Sequence, residues 1–403
     1  MEISSPRNYA RRRGGGNAGI SVASQLLRKN KELDIAIIEP SDKHYYQPAW
    51  TLVGGGVFNV NKTARPQASV IPSGAKWIKE SVQTFDPENN SLATDAGQYS
   101  YDYLVVCPGI QLDWHKIKGL PEALGKNGVT SNYSFKTAPY TFECLKNFKG
   151  GNAIFTDPGT PVKCGGAPHK IMYMAGDYLR LHGLLTKSTI QYFTARSFLF
   201  AVPEYNKTLL EVVARIDAKL NFFYDLVEIK AAEKIAVFQT KNEAGEPVLK
   251  EQPYDFIHVC PPQSAPDFVK NSPLAIKGDP LGWVDVNKDT LRHNTYANVF
   301  SLGDASSLPT SKTGAAIRKQ APVVVANLLD AIHNKASQKV YDGYTACPLV
   351  TGYGKLVMAE FDYDKKPAMS FPIDQTKEQW SMYQVKRRLL PWMYWNMILK
   401  GKA

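Results

Sequence analysis

With 403 residues, the chain has room for two or three domains. Hydrophobic residues make up 44% of it and charged residues 21%, which excludes a disordered or fibrous protein. The net charge of +11 favours anionic partners such as an acidic membrane surface, but basic residues cluster only at Arg11–Arg13 and Lys386–Arg388 and no nucleic-acid motif is present. Five scattered cysteines do not make a disulfide scaffold, and neither they nor the seven histidines have metal-binding spacing. No apolar run reaches the roughly 18–20 residues that cross a bilayer, and Met1 to Arg13 lacks an apolar signal core.

The first chemical motif is Gly14-Gly15-Gly16-Asn17-Ala18-Gly19, which fits GxGxxG. An apolar helical stretch, Ile20 to Leu27, follows it, and then a strand over Asp34 to Ile38 that ends on Glu39. Gly14, Gly16 and Gly19 permit a tight turn and close approach to a pyrophosphate at a helix N-terminus. Glu39 lies 20 positions past the last glycine, the right distance for a ribose hydroxyl. Together these predict a dinucleotide site. The segment ahead of the motif, residues 6–13, should then be a central strand buried on both faces. Three consecutive arginines there would bury charge at a cost of several kcal/mol, so we read this segment as a sequence or start-site error, which resequencing the coding region would test.

Further along, Asp102 to Val106 reads as a buried strand running into Cys107-Pro108-Gly109. A second short apolar strand, Val299 to Leu302, closes on Gly303-Asp304, where an Asp at a strand end is placed to bind a ribityl hydroxyl. In this order the pieces resemble flavoproteins with two dinucleotide-binding domains, whose FAD contacts come from both ends of the chain. The second domain's expected strand, Asn152 to Phe155, leads into a turn with no GxGxxG. Prolines interrupt that turn, which delivers Cys164, and the next strand ends on Thr194-Ala195-Arg196 without an acid. A nicotinamide site is therefore not expected.

Cys164-Gly165-Gly166-Ala167-Pro168-His169-Lys170, the Gly303-Asp304 region through Lys312-Thr313, and Tyr344-Thr345-Ala346-Cys347-Pro348 resemble sulfide:quinone oxidoreductases. So do His44 to Thr51 and the tail Pro391 to Met397, and the likeness is greatest to the branch with the mitochondrial enzymes. The resemblance implies that Cys164 and Cys347 are the redox pair, cycling between a sulfur-bridged form and thiolate or persulfide. It implies FAD contacts at Asn17, Ala18, Glu39, Gln47, Val82 and Asp304, with Lys312 near the flavin. In such an enzyme hydrosulfide attacks the bridged pair, Cys347 carries the departing sulfane sulfur, and Cys164 delivers two electrons to FAD. Lys170 and Lys312 would stabilise negative charge, a solvated surface lysine being the alternative, and His169 reads as a surface histidine rather than a proton shuttle. Cys107, Cys144 and Cys260 read as structural.

The tail, Trp380 to Lys400, interleaves aromatic and aliphatic residues with Lys386, Arg387 and Arg388, as helices lying in a membrane interface do; the alternative is a helical hairpin packed on the protein's own core or on a partner. The fold expected is α/β: two Rossmann-like three-layer domains and a C-terminal amphipathic, membrane-associating segment. Residues 1–125 and 280–345 would form a discontinuous FAD domain, 126–279 the second domain, and 346–403 the quinone and membrane region. The implied partners are hydrogen sulfide, a quinone as electron acceptor, a membrane surface, and a sulfur acceptor such as sulfite, a thiol or cyanide; nucleic acid is not expected, and homo-oligomerisation stays open. The implied location is peripheral, on the cytoplasmic face of a prokaryotic inner membrane or on the mitochondrial inner membrane. The alternatives weighed are a type II NADH:quinone dehydrogenase and a non-catalytic flavin-fold membrane protein.

Overall fold

The computed structural model describes residues 15–403. Gly14 and the arginine-rich segment 6–13, expected to be the first strand, lie outside the described residues. The helix Asn17–Lys29 starts directly after Gly16, whose extended backbone ends the glycine turn. Ile20, Val22, Ala23, Leu26 and Leu27 are buried along it, and Arg28 and Lys29 complement the dipole of its last turn. Ile35–Ile38 pairs in parallel with Ala75–Ile78, and Leu104–Val106 pairs in parallel with Val299–Ser301. The second pair joins segments that lie far apart in the sequence. Among the described residues the two pairs are not hydrogen-bonded into one sheet.

A five-stranded parallel sheet forms the second unit. Its spatial order is Val129–Thr130, Phe256–His258, Gly151–Asp157, Ser188–Thr194 and Ala218–Phe222. Gly151–Asp157 is central, and its last five residues are all buried, as befits a parallel strand covered on both faces. The helix Ala167–Leu181 returns across this sheet, and an antiparallel meander over Asp225–Lys230, Ile235–Lys241 and Pro247–Pro253 lies beside it.

An antiparallel hairpin, Thr345–Gly352 with Lys355–Phe361, packs on the helix Ala167–Leu181 and so brings Cys347 to the second unit. The tail then forms Trp380–Gln384, a wider π turn over Val385–Leu389, and Leu390–Asn396. The wide turn precedes Pro391, which has no N–H to give the α-helical ladder. Among the described residues, no helix is long and apolar enough to cross a membrane. Much of the tail is packed on the protein itself: Met382 and Tyr383 against the second unit, Tyr394, Trp395 and Leu399 against the first. Trp380, Leu389 and Trp392 remain exposed.

Candidate active site

The turn after the central strand Gly151–Asp157 is held from several sides. Arg196 pairs with the buried Asp157 at 3.1 Å and donates to the Thr160 carbonyl at 2.6 Å. Gln263, fully buried, spans the turn: its backbone N–H donates to Thr160 Oγ1 at 2.9 Å, and its side-chain oxygen accepts from Lys163 N at 3.0 Å. Cys164 N then donates to the Lys312 carbonyl at 2.8 Å. Under these restraints Cys164 adopts φ +58°, a left-handed conformation that costs a side-chain-bearing residue on the order of 1 kcal/mol. A loop that in related folds curls around a phosphate here aims a thiol.

Cys164 and Cys347, 183 residues apart in sequence, are brought together with their sulfurs 3.7 Å apart. Lys170 stands in the first turn of the helix Ala167–Leu181, six residues beyond Cys164, and its Nζ reaches that sulfur at 3.0 Å. Either thiol could donate across the pair, but the electrostatics place the proton on Cys347. The hydrogen bond from Cys347 holds the Cys164 thiol well below its ordinary range, and the charge on Lys170 adds to this against the opposing effect of burial. Cys347 is pushed well up, first by that same hydrogen bond and then by burial. The two thiols are thus pushed in opposite directions, Cys164 towards the thiolate and Cys347 towards the thiol.

Cys164 lines a cavity of about 550 Å³ that runs from the glycine turn to the tail. Gly16, Asn17, Ala18, Gln47, Asp304 and Lys312 line the same cavity. Gly15, which lines the cavity, donates its N–H to Glu39 at 2.8 Å, and a Cβ there would collide with Gln67 and Glu39, so only glycine lets these side chains close on the turn from behind. Gly303 holds φ +74° and would press a Cβ to 3.3 Å from Ile317, which lets Asp304 face the cavity. Asn132, only 7% exposed, lines the cavity with neither amide atom hydrogen-bonded, which marks a wall built to meet a polar ligand. This length, glycine cradle and orphaned amide fit an extended dinucleotide such as FAD.

Several expected features fall elsewhere. Val82 is fully buried, paired with Thr94, and does not line the cavity. Gly19, Glu39 and Gly303 do not line it either; Glu39 is fully buried and takes the N–H groups of Gly15 and Ser41, so it braces the turn from behind. His169, read as a surface histidine, is instead fully buried among Tyr173, Tyr192 and Phe200, and burial lowers its pKa to about 3. Lys386, read with Arg387 and Arg388 as facing lipid headgroups, is buried and donates to the Pro48 carbonyl at 2.8 Å. Burial, with Lys170 nearby, lowers its pKa to about 7, while Cys164 and Cys347 pull the other way. Lys386 is thus a functional candidate that sequence reasoning missed. Its only signal was the Pro391 that forces the wide turn. Lys312 donates to the Ser306 carbonyl at 2.9 Å and lies 3.7 Å over the Trp283 ring, and burial lowers its pKa to about 8. Cys107 also lines the cavity, but burial raises its pKa and leaves it a passive wall.

The fold and site define an FAD-dependent oxidoreductase of the two-dinucleotide-domain class. Comparison with known proteins narrows this. The chain is 49% identical to the mitochondrial sulfide:quinone oxidoreductase of Dictyostelium discoideum over 393 residues, covering 96% of this chain and 85% of that protein. It is 46% identical to the mitochondrial sulfide:quinone oxidoreductase of Mus musculus over 389 residues, with the same coverage. Its fold matches the sulfide:quinone oxidoreductase of Aquifex aeolicus with a TM-score of 0.80 at 21% identity, over 95% of this chain and 90% of that one. No protein-family model matches the sequence. The chain belongs to the sulfide:quinone oxidoreductase family.

Proposed function

We propose that Cys164 and Cys347 are the pair at which this enzyme oxidises hydrogen sulfide. The observation that carries this is the asymmetric sulfur pair, 3.7 Å apart, with Lys170 3.0 Å from one member only. Two S–S bonds of about 2.05 Å meeting at one sulfur span roughly 3.3 Å, so a single bridging sulfur fits between them with little movement. When hydrosulfide attacks a bridged pair, the sulfur with the lower thiol pKa leaves more readily. Cys164 is therefore the leaving thiolate and Cys347 keeps the sulfane sulfur. One S–S bond breaks and one forms, and the electron pair given up by sulfide resides on Cys164 beside the Lys170 ammonium.

Bound FAD would supply the two-electron acceptor for that pair and the relay to the quinone. Gly16, Asn17, Ala18, Gln47, Asp304 and Lys312 would hold it, with Glu39 bracing the glycine turn from behind; Gln47 is fixed by Lys163, whose Nζ lies 2.5 Å from its side-chain oxygen. Lys386 adds a second cation to the thiolate side of the cavity. The sulfane sulfur on Cys347 leaves to a small acceptor: sulfite, a thiol or cyanide. The two domains are assigned as residues 1–125 with 280–345, and 126–279, followed by the tail.

Exposed Trp392, Leu389 and Arg388 adjoin Leu390 and Met393, which line the cavity. This apolar, basic rim suits a membrane surface from which a quinone enters. The mitochondrial relatives support the mitochondrial inner membrane as that surface. The detergent-solubilised enzyme should reduce a short-chain quinone with sulfide and not with NADH. Quinone reduction by NADH without sulfide would overturn this reading in favour of an NADH dehydrogenase.

A further inference from the structure

His44 sits between two parts of the molecule that the reaction does not obviously connect. It is buried, 3% exposed. Its Nδ1 lies 2.7 Å from the carbonyl oxygen of Gly15, in the glycine turn, and its Nε2 lies 2.5 Å from the hydroxyl of Tyr394, in the tail. A carbonyl can only accept, so Nδ1 carries the hydrogen; in the neutral ring Nε2 must then accept. Tyr394 therefore donates, and burial keeps its hydroxyl protonated by raising its pKa far above the ordinary value.

The same peptide is gripped elsewhere as well. Gln67 Nε2 donates to the Gly15 carbonyl at 2.9 Å, and Glu39 takes the Gly15 N–H. The tail is likewise tied to the helix that follows the turn. Ser24 Oγ donates to the Leu399 carbonyl at 2.8 Å, and Gly401, at φ +64°, lies so close to Ser24 and Gln25 that a Cβ there would come within 2.9 Å of their backbone. Arg65 covers Trp395 at 4.3 Å, and Tyr46 meets the Tyr394 ring at a centroid distance of 4.7 Å.

We infer that Tyr394 is a positioning residue for the cofactor: through His44 it fixes the Gly15 carbonyl, so that docking of the tail and retention of FAD are thermodynamically coupled. The tail is then more than a membrane-facing appendage. Its ordered state is part of the dinucleotide site, and by reciprocity the bound dinucleotide orders the tail. The inference rests on FAD occupying the cavity but on none of the sulfur chemistry, so it stands or falls separately from the roles of the two cysteines.

The test uses the FAD-loaded protein and its Tyr394→Phe variant, which removes one hydroxyl and keeps the ring. Flavin release is followed by fluorescence on dilution into mild urea. Release should quicken about tenfold in the variant, the effect expected of one buried hydrogen bond lost. His44→Gln should quicken it similarly, and the double variant should add little, because the two act through one contact. Amide exchange over residues 390–401 supplies a readout that a purely local packing role would not move. FAD should slow it in the native chain and much less in Tyr394→Phe. Equal release rates in native and variant protein, fully additive single variants, or tail exchange indifferent to FAD would each overturn the coupling.

Discussion

Each of the two Rossmann-like units has a turn that leads into a helix, and the two turns have been put to opposite uses. The turn at Gly15 and Gly16 has no side chains to fill it, and its backbone is held from outside by Glu39, His44 and Gln67. The turn over residues 157–164 is filled from within by the Asp157–Arg196 pair and clamped by Gln263. One leaves a concavity for a ligand, while the other, also leading into a helix, aims a thiol. A shared fold therefore does not imply a shared ligand; what decides is whether the turn is kept empty or braced.

Breaking each turn should produce effects that differ in kind. The largest is expected for Gly15→Val, whose side chain would collide with Gln67: the purified protein should be colourless, and a variant that retains flavin absorbance would refute the cradle. Next comes Lys170→Met. With the neighbouring cation gone, the Cys164 thiol pKa rises, so its alkylation rate near neutral pH should fall at least about tenfold and its pH inflection move upward. An unmoved inflection would mean that Lys170 does not activate the thiol.

A smaller effect is expected for Arg196→Met, which leaves Asp157 buried without its partner. Chemical denaturation should show a loss of about 1–3 kcal/mol with flavin binding intact; loss of flavin instead would tie this brace to the wrong turn. Lys386 gives a pH signature. Its folded pKa, about 7, lies below its ordinary 10.5, so in that window the unfolded chain binds more protons and stability rises with pH. Lys386→Met should flatten the rise in urea midpoint between pH 7 and pH 9, and equal slopes in the two proteins would contradict its burial as a titrating group.

Much of this was legible in the sequence because it was local. The glycine motif, the helix after it, Glu39 and the absence of a second glycine motif each sit in one short stretch. The two cysteines stood out through the motifs around them, although only folding shows that their pKa values are pushed in opposite directions. The roles of Lys386 and Tyr394 were not legible. Their partners, Pro48 and His44, lie more than 300 residues away, and a basic, aromatic stretch looks the same whether it faces lipid or its own protein. His169 was misread for a related reason: a histidine flanked by Pro168 and Lys170 looks polar, yet the helix turns it into an aromatic cluster. The family resemblance read from the motifs agrees with the full-length relatives.

The central claim, that the asymmetric pair performs the oxidation, is tested most directly by mixing anaerobic, FAD-loaded protein with sulfide and following flavin absorbance. The native chain should bleach, while Cys164→Ser and Cys347→Ser should retain FAD and fail to bleach. Bleaching at the native rate in both variants would contradict the account.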